Sequence, residues 1–143
     1  PSTITRLQNM GTPDYLISAA CSLVLAQRLA RKTCKDCRVP DEDVTPKVLT
    51  DLGFSPEQAS RVKATKGKGC PKCKDSGYKG RMGIYEVMKV TKPIKEAILK
   101  QATTPELKAI AIKEGFQTMQ DMGRKMIAAG DLNFREYERV LSG

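Results

Sequence analysis

Histidine is absent from this 143-residue chain, and so is tryptophan. Without an imidazole there is no ready side-chain base or sensor near neutral pH. Only four Tyr and three Phe are present, so packing rests on Leu, Ile, Val, Ala and Met. Of those aromatics only Phe54 and Tyr78 lie near the cysteine pairs, which gives no row of rings for base stacking. No apolar run reaches the ~18 residues of a membrane-spanning helix, and no signal peptide opens the chain. The string G-x-x-x-x-G-K-[ST], which cradles nucleotide phosphates, occurs nowhere. Lys66-Gly67-Lys68-Gly69 cannot replace it, because no Ser or Thr follows. The chain alone is therefore expected not to hydrolyse ATP. It begins Pro-Ser-Thr-Ile-Thr, with no initiator Met, and reads as a piece of something longer.

What is present is organised around Cys34-Lys35-Asp36-Cys37 and Cys70-Pro71-Lys72-Cys73. Each C-x-x-C knuckle turns two sulfurs toward one point. Two knuckles give the closed four-thiolate set of a structural zinc, with no open position for catalytic water. Cys34, Cys37, Cys70 and Cys73 are thus the expected Zn²⁺ ligands. A pair of disulfides and a redox dithiol are the alternatives, and the odd cysteine count favours a reducing compartment. Cys21, in an apolar run, reads as a buried small hydrophobe.

The formal charge of +9 is unevenly placed. Between Arg28 and Arg81 stand 14 basic against 7 acidic residues; residues 1–27 balance, and residues 82–143 add two positive charges. The excess surrounds the knuckles. It is either a shell that offsets an anionic metal site or a surface for phosphates, nucleic acid or an acidic partner.

Local signals mark the rest. Thr12-Pro13 predicts a helix start. Asp14 to Leu29 fits one buried helix, or a helix over 13–21 followed by a buried strand over 23–30. Thr45-Pro46 opens a helix that Gly53 can close, and Ser55-Pro56-Glu57-Gln58 is a capping box. Three glycines in Gly77-Tyr78-Lys79-Gly80-Arg81-Met82-Gly83 imply a turn or a close backbone approach. A strand follows over 84–90. Helices are expected over 93–101, from a Thr104-Pro105 cap to Gly115, over 119–129, and from Asn133 with Glu136 as its capping-box partner.

Thr5-Arg6-Leu7-Gln8-Asn9-Met10-Gly11, Ala26-Gln27-Arg28-Leu29-Ala30-Arg31-Lys32-Thr33-Cys34, Gly77-Tyr78-Lys79-Gly80-Arg81-Met82-Gly83-Ile84-Tyr85-Glu86 and the closing Tyr137-Glu138-Arg139-Val140 carry a resemblance. Over essentially its whole length the chain resembles the C-terminal end of the type IV pilus assembly and type II secretion ATPases, most of all the pilus extension motor. The resemblance implies a RecA-like hexameric ATPase acting at the cytoplasmic face of the inner membrane through a platform protein. It implies that the chain starts just after the family's histidine box, and that Asp14 to Ala30 is helix then strand. ATP and Mg²⁺ would belong to the full-length protein only. Gly80, Arg81, Met82 and Gly83 match a family segment near the adenine side of the nucleotide.

The implied fold is α+β and mostly helical. It has the end of a RecA-like core at residues 1–33, a tetracysteine zinc subdomain at 34–81, a returning core strand at 82–91 and a C-terminal helical region at 92–143. The rival function is a zinc-ribbon-like nucleic-acid binder, which the basic charge favours and the scarcity of aromatics opposes. No nucleic-acid partner is expected.

Overall fold

The structure is a computed structural model that describes residues 1–142. The chain is mixed α and β, with about half of it helical. In order it runs α1 (Ser2–Asn9), α2 (Asp14–Ala20), β1 (Leu23–Thr33), β2 (Arg38–Pro40), α3 (Pro46–Asp51), α4 (Pro56–Arg61), β3 (Thr65–Gly67), β4 (Tyr78–Lys89), α5 (Lys92–Leu99), α6 (Thr104–Lys113), α7 (Met119–Ala128) and α8 (Phe134–Leu141). Each knuckle adds one 3₁₀ turn, Lys35–Cys37 and Pro71–Cys73. β1 pairs with β4, and β2 with β3.

Two compact units result. The first joins Pro1–Ala26 to Tyr85–Thr118. Its core is Ile4, Ile17, Met88, Val90, Ile94, Ala97, Ile98, Leu107 and Ala111, with Cys21 half-buried against it. α2 lies against α5, and α5 against α6. Alternation along the strands leaves Leu23, Leu25, Tyr85 and Val87 largely exposed, at 48, 54, 42 and 42 %.

The second unit joins Gln27–Ile84 to Met119–Gly143. α3 packs on α4 and α7 on α8. Leu49, Phe54, Ala59, Ile127, Leu132, Tyr137 and Leu141 are buried. Arginines on one segment close carbonyls on another: Arg38 Nη1 donates to Gly130 O at 2.7 Å, and Arg124 Nη1 to Leu52 O at 3.0 Å. The first places a cation at the C-terminus of α7, where the unpaired carbonyls and the helix dipole favour it.

Several local expectations meet the backbone directly. Asp14–Ala20 is helix and Leu23–Thr33 strand, which resolves the ambiguity in that run. The strand is not buried, however; its leucines face outward. Thr45 Oγ1 accepts from Val48 N, Gly53 has φ +96°, and Ser55 and Gln58 form the reciprocal box. Three readings shift, and α1 is an element that the local signals did not mark. α1 carries no strong cap and too few apolar positions to stand out, yet Ile4 anchors it in the core. α2 is capped by Pro13 with no side-chain bond from Thr12. α6 is capped by Thr103, boxed with Glu106, while Thr104 is already helical and its hydroxyl pairs with that of Thr5 at 2.7 Å. β4 starts at Tyr78, so Gly80 to Gly83 lie in the strand and the turn sits before them at Gly77, φ +75°.

Candidate metal centre

β1 ends at Thr33, and Cys34 follows with its N–H bonded to Gly77 O at 2.9 Å. β2 and β3 then bring the knuckles together. Arg38 faces Gly67, Val39 faces Lys66 and Pro40 faces Thr65 in antiparallel register. Cys37 stands just before one strand and Cys70 three residues after the other. Lys68 N donates to Cys37 O at 3.1 Å and extends the pairing to the knuckles themselves.

The four sulfurs of Cys34, Cys37, Cys70 and Cys73 all lie within 4.8 Å of one another. Cys34 to Cys70 and Cys37 to Cys73 are each 3.9 Å, and Cys70 to Cys73 is 3.7 Å. A disulfide is about 2.05 Å long, and all four cysteines are free. Four sulfurs at ~2.3 Å from a common zinc would stand about 3.8 Å apart. The spacing therefore fits a tetrahedral metal. Cys34, Cys37 and Cys73 are buried and Cys70 is half-buried, which closes the site to bulk water.

Backbone amides aim at the sulfurs. Cys70 N and Gly77 N donate to Cys73 Sγ at 3.2 and 3.3 Å. Burial pushes the Cys73 thiol up, but these two donors and the neighbouring thiols outweigh it and bring it down to about 6. Burial dominates at Cys37, and the adjacent sulfurs add to it, so that thiol is pushed up to about 12. Cys73 therefore gives up its proton readily, and Cys37 resists losing its own. A divalent cation is the chemistry that lets all four ionise.

Two glycines make this closeness possible. A Cβ on Gly67 would stand 2.1 Å from Gly77 O, and one on Gly77 would stand 2.5 Å from Gly67 O. β3 and the turn into β4 cross backbone against backbone, and only glycine fits on either side. Around the knuckles the basic excess is partly committed. Lys72 and Lys79 pair with Asp36 at 2.7 and 3.7 Å, and the Lys72 ammonium holds that carboxyl below its usual range. Lys66 spans Asp41 and Asp43 at 2.9 and 3.1 Å.

Residues 1–139 match the family described as Type II/IV secretion system protein. The chain belongs to that family. Its relatives include the type IV pilus assembly ATPase PilB of Myxococcus xanthus, 38 % identical over 95 % of this chain and 24 % of the relative. The PilB of Acinetobacter baylyi is 39 % identical over 98 % of this chain and 24 % of its own length. The type II secretion system ATPase E of Vibrio cholerae is 33 % identical over 96 % and 26 %. The chain thus spans about a quarter of the length of these curated relatives.

Gly80, Arg81, Met82 and Gly83 are not gathered with the cysteines. Arg81 is exposed on β4 and lines an open pocket of about 430 Å³ with Leu29, Ala30, Arg31 and Arg139. Beneath that pocket lies a residue whose role the sequence did not reveal. Glu136 is expected to reach back to the Asn133 amide, but only half of that box forms: Asn133 Oδ1 accepts from Glu136 N at 2.8 Å. The Glu136 carboxylate turns to Arg31 and Arg139 instead. Its Oε1 accepts from Arg31 N at 2.8 Å. Its Oε2 accepts from Arg31 Nε at 3.1 Å, Arg31 Nη2 at 2.7 Å and Arg139 Nε at 2.9 Å, while Arg139 Nη2 donates to Oε1. The carboxylate is fully buried. Burial alone would raise its pKa, but Arg139 and Arg31 hold it down to about 2. The Arg31 guanidinium also lies over the Tyr78 ring, 4.0 Å from its centre.

Proposed function

We propose that this chain is the zinc-binding C-terminal portion of a hexameric ATPase that powers type IV pilus assembly, with type II secretion the neighbouring role within the same family. The observation that carries the reading is the convergence of four cysteine sulfurs at tetrahedral spacing in a chain of this family. Cys34, Cys37, Cys70 and Cys73 hold one Zn²⁺, which supplies structure rather than catalysis, because all four positions are protein thiolates. The higher identity to pilus assembly relatives than to the secretion relative favours the pilus role. Phe54 is buried and one face of Tyr78 is covered by Arg31, which weighs against a base-stacking surface.

In this reading the first unit and its strands complete a RecA-like core, and the cysteine-bearing unit offers contacts to a neighbouring subunit or an inner-membrane platform protein. Nucleotide and Mg²⁺ are handled by the intact protein, acting from the cytoplasmic side. Within this chain, the segment Gly80 to Gly83 touches the nucleotide through Arg81. The test is made on the intact protein: zinc content by elemental analysis, ATP turnover and pilus formation, with Cys73→Ser beside the parent. One zinc per subunit, ATP turnover in the parent and loss of zinc in the variant are expected. A folded protein with well under one equivalent of metal overturns the zinc assignment, and an intact protein without ATP turnover overturns the motor.

A further inference from the structure

The pocket bounded by Arg31, Arg81 and Arg139 is a second centre, separate from the cysteines. Among the described residues no carboxylate lines it. Three guanidinium charges surround the space, and the one carboxylate that answers them, Glu136, is buried behind two of them. Two positive charges remain in excess. Arg81 makes no hydrogen bond or ion pair among the described residues. Arg31 and Arg139 each give Nε and Nη2 to Glu136, and neither gives Nη1 to any described residue.

Such an arrangement is costly if nothing else visits it. Like charges converge, and donors stay unused, where a surface arginine could swing away. Instead Arg31 is locked by the fork to Glu136 and by stacking on Tyr78, whose hydroxyl is in turn held by Asn133 Nδ2 at 3.0 Å. Arg139 is locked by the same carboxylate. A buried acid that fixes two arginines by their inner nitrogens leaves their outer nitrogens pointing away from it in a set geometry. That is pre-organisation for an anion.

We infer that this pocket is a binding site for a phosphate group, recognised by Arg31 and Arg139 through their free Nη1 donors and by the unpaired Arg81. Phosphate fits better than a single carboxylate. Three guanidinium groups offer more donors than two oxygens accept, and an excess of two charges matches a dianion. The volume, about 430 Å³, exceeds one phosphate and admits a phosphate ester with a larger body beside Leu29. The assignment does not require the nucleotide contact placed above at Gly80 to Gly83, since two of its three arginines lie outside that segment.

The test is calorimetric titration of the zinc-loaded chain with pyrophosphate. Arg81→Ala and Arg139→Gln are each expected to weaken binding on the order of tenfold. Lys108→Ala, which removes an equal charge from an exposed site in the other unit, should leave it unchanged. Circular dichroism and zinc content check that Arg139→Gln is folded, and Arg81→Ala, lacking partners to lose, keeps the test decisive if it is not. Displacement of pyrophosphate by ATP would identify a nucleotide as the source of the phosphate. Arg81-dependent retention on phosphatidylglycerol vesicles would identify a lipid headgroup. Equal weakening by Lys108→Ala, or equal displacement by a glutamate-rich peptide, overturns the inference, since it would show a general basic surface or a site for acidic chains. No change with Arg81→Ala also overturns it. If Arg81→Ala acts and a folded Arg139→Gln does not, the inference fails while the contact at the glycine segment survives.

Discussion

Replacing Glu136 with Gln tests the energetics of the second unit most directly. The carboxylate is fully buried and accepts from Arg31 and Arg139. Burial opposes its charge, the two arginines outweigh burial, and the folded pKa falls from 4.5 to about 2. A depression of that size corresponds to about 3 kcal/mol at neutral pH. The arginine side chains are 47 and 55 % exposed, so solvent screens them and this is an upper figure. Gln keeps the shape and the acceptor for Arg31 N but removes the charge, leaving two guanidinium groups facing each other. Because the folded pKa is depressed, the contribution is complete above pH 4.5 and is lost as pH falls toward 2. Near pH 3 it should be less than half its neutral value. Urea unfolding of the zinc-loaded parent and Glu136→Gln, followed by far-ultraviolet circular dichroism from pH 7 downward, gives the gap between them. A gap of about 2–3 kcal/mol at pH 7 that narrows below pH 4 is expected. A gap under about 1 kcal/mol at pH 7, or one that does not narrow in acid, would refute the reasoning: the pair would then behave as an ordinary solvated ion pair.

Cys34→Ser and Cys73→Ser should each lose the metal and unfold the stretch between the knuckles, while α5 and α6, with their own core around Ile98 and Leu107, keep their helicity; hydrogen exchange distinguishes the two regions. Gly67→Ala should weaken metal retention even though no ligand is touched, because its methyl group meets Gly77 O; competition with a chromophoric chelator measures this, and unchanged retention would mean that the crossing is loose. Arg81→Ala in the intact protein should raise the nucleotide dissociation constant without lowering zinc content. The 143-residue chain alone should show no ATP turnover above background, and turnover that survives repeated purification yet disappears in a Cys34→Ser, Arg81→Ala double variant would contradict its reading as a non-catalytic portion.

Features that depend on a few neighbouring residues were readable in advance. Thr45, Ser55 and Asn133 cap helices because a hydroxyl or amide two or three residues upstream of a free N–H is a local matter. The cysteine set was readable because a knuckle fixes its own two sulfurs. What stayed hidden depends on distant partners. Glu136 sits at a capping-box position, and nothing within four residues says that Arg31, over a hundred positions earlier, competes for its carboxylate. An N3 Glu followed three residues later by Arg139 was the only hint. Gly77 reads as a turn or a close backbone approach, but that the approach is to Gly67 appears only when β2 has paired with β3. The leucines of β1 show the limit in the other direction. Composition marks a face that favours burial, but whether the same chain covers it is a tertiary fact.

That uncovered face governs how the chain behaves in a tube. β1 and β4 form a sheet of only two strands, one surface of which presents Leu23, Leu25, Tyr85 and Val87. Two such ribbons can stack or add strands to one another, and the sheet lacks the bulk that normally blocks this. What opposes association is the net charge of +9, which keeps copies apart over roughly a Debye length, about 10 Å at 0.1 M salt. The balance is therefore colloidal. Dilute buffer should keep the chain dispersed, and added salt should collapse the repulsion while leaving the apolar attraction intact. Light scattering from this chain should then rise with ionic strength, the reverse of a protein that associates through its charges.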